Sequence, residues 1–104
     1  MKPAHTVLIT GASSGIGAAL ALECARRGAK RLFLCGRDAG RLEDVAARCR
    51  AAGADVRAEA LDVADEAAAR AWVEACDAQA PLELVFSNAG IGTGVESEAN
   101  IRRT

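Results

Sequence analysis

One stretch holds residue types and spacings that can do chemistry together: Thr10-Gly11-Ala12-Ser13-Ser14-Gly15-Ile16-Gly17. It leaves a β-branched apolar run and enters a stretch with helical spacing, the context in which a glycine pattern acquires meaning. Gly11 lets the chain turn sharply. Gly15 lets backbone approach a diphosphate with no Cβ in the way, and Gly17 lets the helix pack close to a sheet. A helix start also offers N–H groups that lack intrahelical acceptors, with a partial positive charge, to an anion. Ser13 and Ser14 can add hydroxyls to the phosphates or cap the helix, and Ile16 completes the candidate contacts. The competing reading is a tight glycine turn that binds nothing; the length of the pattern at a strand-to-helix turn argues against it.

A second site follows from distance along the chain. In dinucleotide-binding folds an acidic residue about 20 residues past the glycines holds a ribose 2′-hydroxyl. Twenty residues past Gly17 stands Arg37, in Cys35-Gly36-Arg37. A guanidinium suits a 2′-phosphate through paired, charge-assisted hydrogen bonds, so the cofactor expected is NADP rather than NAD. The alternative is a solvated surface arginine. Asp38 could bind a ribose hydroxyl, but it begins a helical pattern and is read as that helix's N-cap.

Two further sites complete the set. In Leu61-Asp62-Val63 the Asp62 carboxylate can accept a hydrogen bond from an adenine amino group, with the backbone of Val63 beside it; the alternative is a cap for the next helix. In Asn88-Ala89-Gly90 small residues leave room for a ribose, and the Asn88 amide can hold neighbouring strands.

The elements that must position these residues can be read from periodicity. Thr6–Thr10, Arg31–Cys35, Asp55–Leu61 and Leu82–Phe86 read as strands. Between them lie helical patterns: Ile16, Ala19, Leu20 and Cys24, closed by Gly28; Leu42, Val45, Ala46 and Cys49, closed by Gly53; and Ala69, Trp72, Val73 and Cys76 within 65–78, broken by Pro81. The alternation predicts an α/β fold, a Rossmann-type doubly wound parallel sheet in the order 3-2-1-4, as one domain over residues 1–104 that is incomplete at its C-terminus. All four sites then fall at the carboxyl ends of strands, where ligands bind in such sheets. Glu96–Thr104 reads as the opening of a fourth helix. An uncapped helix and an apolar strand edge without a neighbour predict a chain cut inside a larger domain; the alternative is a terminus with a frayed tail.

The motifs TGASSGIG, Asp62-Val63 and Asn88-Ala89-Gly90, in this order, resemble the short-chain dehydrogenase/reductase family, and Gly36-Arg37 is similar to its NADP-preferring members. The resemblance implies hydride transfer between NADP and a small-molecule carbonyl or alcohol, in a protein that forms homo-oligomers. It also implies catalysis by a Ser and a Tyr-x-x-x-Lys motif, with an Asn on the helix after the fourth strand. The chain has no tyrosine, and its only lysines are Lys2 and Lys30. No residue takes those roles, Asn100, Ser87 and Ser97 included, and the 104 residues alone are expected to be inactive. Epimerase or dehydratase chemistry within the family stays open.

Composition excludes other classes. A net charge of -1 gives no basic footprint for nucleic acid. No apolar run approaches the roughly 20 residues that span a bilayer. Cys24, Cys35, Cys49 and Cys76 are too widely spaced for a metal or redox pair and read as small hydrophobes in a reducing, cytoplasmic compartment. With aromatics at only 3%, the core must be thin and alanine-rich. His5 reads as a surface residue. Two alternatives to the oxidoreductase are a non-catalytic nucleotide-binding module and an S-adenosylmethionine methyltransferase; Arg37, where the latter usually has an acid, speaks against it.

Overall fold

A computed structural model describes residues 5–13, 15–62 and 64–87. Strand β1 (Thr6–Thr10) leads into helix α1 (Gly15–Arg26), then β2 (Arg31–Gly36), α2 (Ala39–Ala51), β3 (Asp55–Ala60), α3 (Glu66–Gln79) and β4 (Leu84–Ser87). The sheet is parallel with the order β3-β2-β1-β4, as expected. Leu8 of β1 sits opposite Phe33 of β2 on one side and Val85 of β4 on the other. All five residues of β1 are buried, because a central parallel strand is covered on both faces.

Strand alternation divides the core in two. Val7, Ile9, Leu32 and Leu34 face α1 and α2, meeting Ala21, Ala25, Leu42, Ala46 and Cys49. Leu8 and Phe33 face the opposite way, toward Cys76 and Leu82 with Trp72 and Val73 packed alongside. The α2 stripe is the expected one, with Val45 half-buried at its margin. The α1 face differs from expectation. Its buried residues are Gly17, Ala21 and Ala25, whereas Ile16 and Ala19 are exposed and Leu20 and Cys24 only half-buried. A row of small residues four apart lets the helix axis approach the sheet, and the larger side chains flank that contact.

The helix ends are closed by specific hydrogen bonds. Asp38 accepts from Arg41 N at 3.0 Å and Asp65 from Ala68 N at 3.1 Å, each capping the helix that follows. At the end of α1, Gly28 N donates to Ala25 O and Ala29 N to Cys24 O. The same pattern ends α2, from Gly53 N to Arg50 O and Ala54 N to Cys49 O. Strand β4 begins two residues later than expected. Leu82 N donates to the Asp77 carboxylate at 2.9 Å, so Leu82 is held by α3 and the β1 ladder begins beyond it. Residues 96–104, read as a helix start, lie outside the described residues. Among the described residues β4 is a sheet edge, with Leu84, Val85 and Phe86 half-buried.

The four cysteines are free, and three are buried. Among the described residues no group of three or more metal-ligating side chains assembles. Burial pushes the Cys35 and Cys76 thiols up to about 11, and raises Cys24 and Cys49 as well. These thiols are expected to make stability fall at high pH. The unfolded chain releases their protons from about 9, whereas the folded chain holds those of Cys35 and Cys76 to about 11. Stabilisation is therefore complete below the unfolded value and lost as pH rises between the two. Melting curves across this window check it; Cys35→Ala/Cys76→Ala should flatten the decline, and an equally steep decline in that variant contradicts the assignment.

Candidate functional site

The glycine motif forms the turn between β1 and α1. Gly11 has φ 64° and Gly15 φ 56°, left-handed values that cost a residue with a Cβ about 1 kcal/mol or more. Between them Ala12 is fully buried, and its N–H donates to Cys35 O at 2.8 Å. That bond ties the turn to β2. Gly17 faces the sheet, as expected, while Ile16 in the first turn is 57% exposed, the one exposed large hydrophobic among the described residues. The first turn of α1 thus presents N–H groups and one apolar side chain at the carboxyl end of β1.

Arg37 directly follows β2 and is exposed. Among the described residues it makes no ion pair, although Arg41, on the first turn of α2, lies 3.6 Å from Asp38. The Asp38 carboxylate is thus engaged twice, by Arg41 and by the N–H that it caps. The cap reading of Asp38 holds, and Arg37 is an exposed cation at the end of β2 with no ion-pair partner among the described residues.

Asp62 follows β3. Its carboxylate accepts from Ala64 N at 2.9 Å and its carbonyl from Asp65 N at 2.9 Å. The alternative role, capping α3, belongs to Asp65 instead; Asp62 shapes the turn before it. A bond from Leu61 N to Gly36 O, 2.9 Å, holds this turn against the end of β2. Two backbone hydrogen bonds therefore line up three loops, after β1, β2 and β3, at the carboxyl end of the sheet. They bring Gly11, Ser13, Gly15, Arg37 and Asp62 to the same end of the domain. Ser14, Val63, Asn88, Ala89 and Gly90 lie outside the described residues. His5 is exposed, with its backbone N–H donating to the Glu83 carboxylate at 2.7 Å.

One residue in this row is missing from the set read off the sequence. Gly36 is buried between the glycine turn and the β3 loop, and a side chain there would strike Ser13. Its sequence signals were a glycine ending an apolar strand and its place beside Arg37 in the pair similar to NADP-preferring family members.

A parallel sheet in this order, with a glycine turn entering a helix from its central strand, defines a dinucleotide-binding α/β domain. The short chain dehydrogenase family pattern matches residues 5–103, and the chain belongs to that family. It is 46% identical over 89 residues to an uncharacterized oxidoreductase of Myxococcus xanthus, covering 85% of this chain and 35% of the relative. Among solved structures it is similar to a 3-ketoacyl-ACP reductase from Sinorhizobium meliloti, at 39% identity and TM-score 0.73, covering 83% of this chain and 34% of that one. It is also similar to an NAD+-bound xylitol dehydrogenase, at 28% identity and TM-score 0.75, covering 83% and 34%. The chain spans about a third of the length of these proteins.

Proposed function

We propose that residues 1–104 are the cofactor-binding part of a single NAD(P)-binding domain in an NADP-dependent oxidoreductase. The enzyme transfers hydride between NADP and a small-molecule carbonyl or alcohol. The observation that carries the choice of NADP is Arg37: exposed, without an ion pair among the described residues, and placed where NAD-binding relatives of the fold carry an acid. The similar xylitol dehydrogenase binds NAD+, so the preference rests on this chain's own residue.

The described residues fit a dinucleotide. Gly11 and Gly15 hold the left-handed turn, and the start of α1 directs N–H groups toward a diphosphate. Ser13 and Ser14 add hydroxyls, Ile16 covers the phosphates from the solvent side, and Gly17 lets α1 sit close. Arg37 pairs with the 2′-phosphate. Asp62 accepts from the adenine amino group, with the backbone of Val63 beside it. Asn88, Ala89 and Gly90, outside the described residues, are proposed to leave room for the cofactor's ribose. The nicotinamide supplies the hydride chemistry when bound; these residues hold and orient it. The family resemblance assigns proton transfer to a Tyr-x-x-x-Lys motif, which the 104 residues do not contain. The missing tyrosine is also the observation that favours the second reading, a nucleotide-binding module without catalysis.

Cytoplasmic residence is proposed on the support of four free thiols, and a homo-oligomer is proposed from the family resemblance. No described helix is long and apolar enough to cross a membrane. The test is a titration of the protein as its cell produces it, together with its intact mass. NADPH should bind at least about tenfold more tightly than NADH, the worth of one charge-assisted hydrogen bond, and equal affinities would remove NADP from the proposal. Purified residues 1–104 should turn over no NADPH; turnover would contradict the argument from the missing tyrosine.

A further inference from the structure

The end of β2 meets the glycine turn more closely than any side chain would allow. A methyl group at Gly36 would lie 2.7 Å from Ser13 Oγ, 2.8 Å from Ser13 Cβ and 3.0 Å from Ser13 N. All three distances are inside the repulsive wall for non-bonded heavy atoms. Rotating the serine hydroxyl relieves only the first. The strand cannot simply retreat, because the backbone on either side of the contact is committed. Cys35 O accepts from Ala12 N at 2.8 Å, and Gly36 O accepts from Leu61 N at 2.9 Å. Any side chain at this position must displace the turn that carries Ser13 or break one of those bonds.

We infer that Gly36 is a positioning residue for the phosphate-binding turn: the space beside its Cα seats Ser13, and this seat fixes the height of the turn relative to Arg37. The inference rests on the cofactor reading above and deepens it. One residue, Gly36, connects the diphosphate end of the site with the 2′-phosphate end. It touches neither, and acts through Ser13 on one side and as the residue before Arg37 on the other.

The consequence differs in kind from loss of Arg37. NADPH and NADH share the same diphosphate, so a displaced turn penalises them equally. Gly36→Ala, made in the protein as its cell produces it, should weaken both by a common factor of about tenfold, one charge-assisted hydrogen bond to the diphosphate. The NADPH-to-NADH ratio should not change. Adenosine 2′-monophosphate, which has no diphosphate, should bind as before.

The decisive measurement is a double-mutant cycle with Ser13→Gly. Ser13→Gly removes two of the three close atoms, so Gly36→Ala should cost clearly less in that background than in the natural one. Equal cost in both backgrounds, a loss confined to NADPH, or no loss overturns the inference. If Gly36→Ala does not fold, recovery of folding by Ser13→Gly supports it, and failure to fold in both backgrounds overturns it. A natural protein that binds neither dinucleotide overturns the cofactor reading and this inference with it. Normal binding in the natural protein and in Gly36→Ala alike overturns the inference alone.

Discussion

Arg37→Asp is expected to weaken NADPH binding by about a hundredfold while leaving NADH within a fewfold of its original affinity. Two parallel charge-assisted bonds to a phosphate are worth roughly 1.5–3 kcal/mol each when well made. Arg37 is exposed, however, and solvent screening brings the two bonds together down to about 1.4 kcal/mol, well below that sum. That leaves about tenfold for Arg37→Ala, since about 1.4 kcal/mol is a factor of ten. Aspartate adds repulsion against the 2′-phosphate and can accept a hydrogen bond from a 2′-hydroxyl, which widens the gap in favour of NADH.

The same screening yields an internal check. Raising the salt should erode the NADPH preference of the natural protein and leave that of Arg37→Ala nearly unchanged, because only the former depends on an exposed ion contact. Direct titration with both cofactors reads the effect. Equal losses for NADPH and NADH in Arg37→Asp would mean that the arginine supports the fold or the adenosine generally, and the 2′-phosphate assignment would fail.

Some of this architecture was legible before any coordinates. Strand β1 ends where its β-branched run meets Gly11, since glycine and serine cannot sustain the apolar pattern. The α2 stripe was legible because Leu42, Val45 and Cys49 stand out against charged neighbours. The orientation of α1 was not. Ala18, Ala19, Ala21 and Ala25 give little contrast around the helix, so the larger Ile16 and Leu20 dominate the pattern. The sheet instead selects the smallest face, because that face permits the closest approach. The start of β4 was hidden for another reason. An aspartate five residues upstream takes the Leu82 N–H, and periodicity carries no record of side-chain-to-backbone bonds. In the candidate site, residues that use their own chemistry were visible: Gly11, Arg37 and Asp62. Gly36 contributes only an absence of atoms next to a residue 23 positions earlier, and such a contact exists only once β1 and β2 are side by side.

Phe33→Ala is expected to cost about 3–5 kcal/mol of folding stability, a large part of the roughly 5–15 kcal/mol that holds a typical domain folded. The reason lies in the asymmetry of the two cores. Among the described residues, the cluster on the α1 and α2 side holds thirteen buried residues, many of them alanine. The cluster on the α3 side is smaller, with Leu8, Phe33, Cys76 and Leu82 buried. Phe33 is the largest fully buried side chain among the described residues. Its removal leaves a void beside Trp72 and Val73, which pack against this cluster and are themselves only half-buried. Phe33→Leu keeps most of the volume and should cost less than about 1.5 kcal/mol. Denaturant unfolding of both variants separates packing from hydrophobicity as such. Similar costs for the two would mean that α3 already collapses onto the sheet without the ring. A large gap means that one aromatic residue holds α3 in place. The same ring then supports the strand that carries Cys35, Gly36 and Arg37 to the site, so cofactor affinity in Phe33→Ala should fall only as far as the folded population falls.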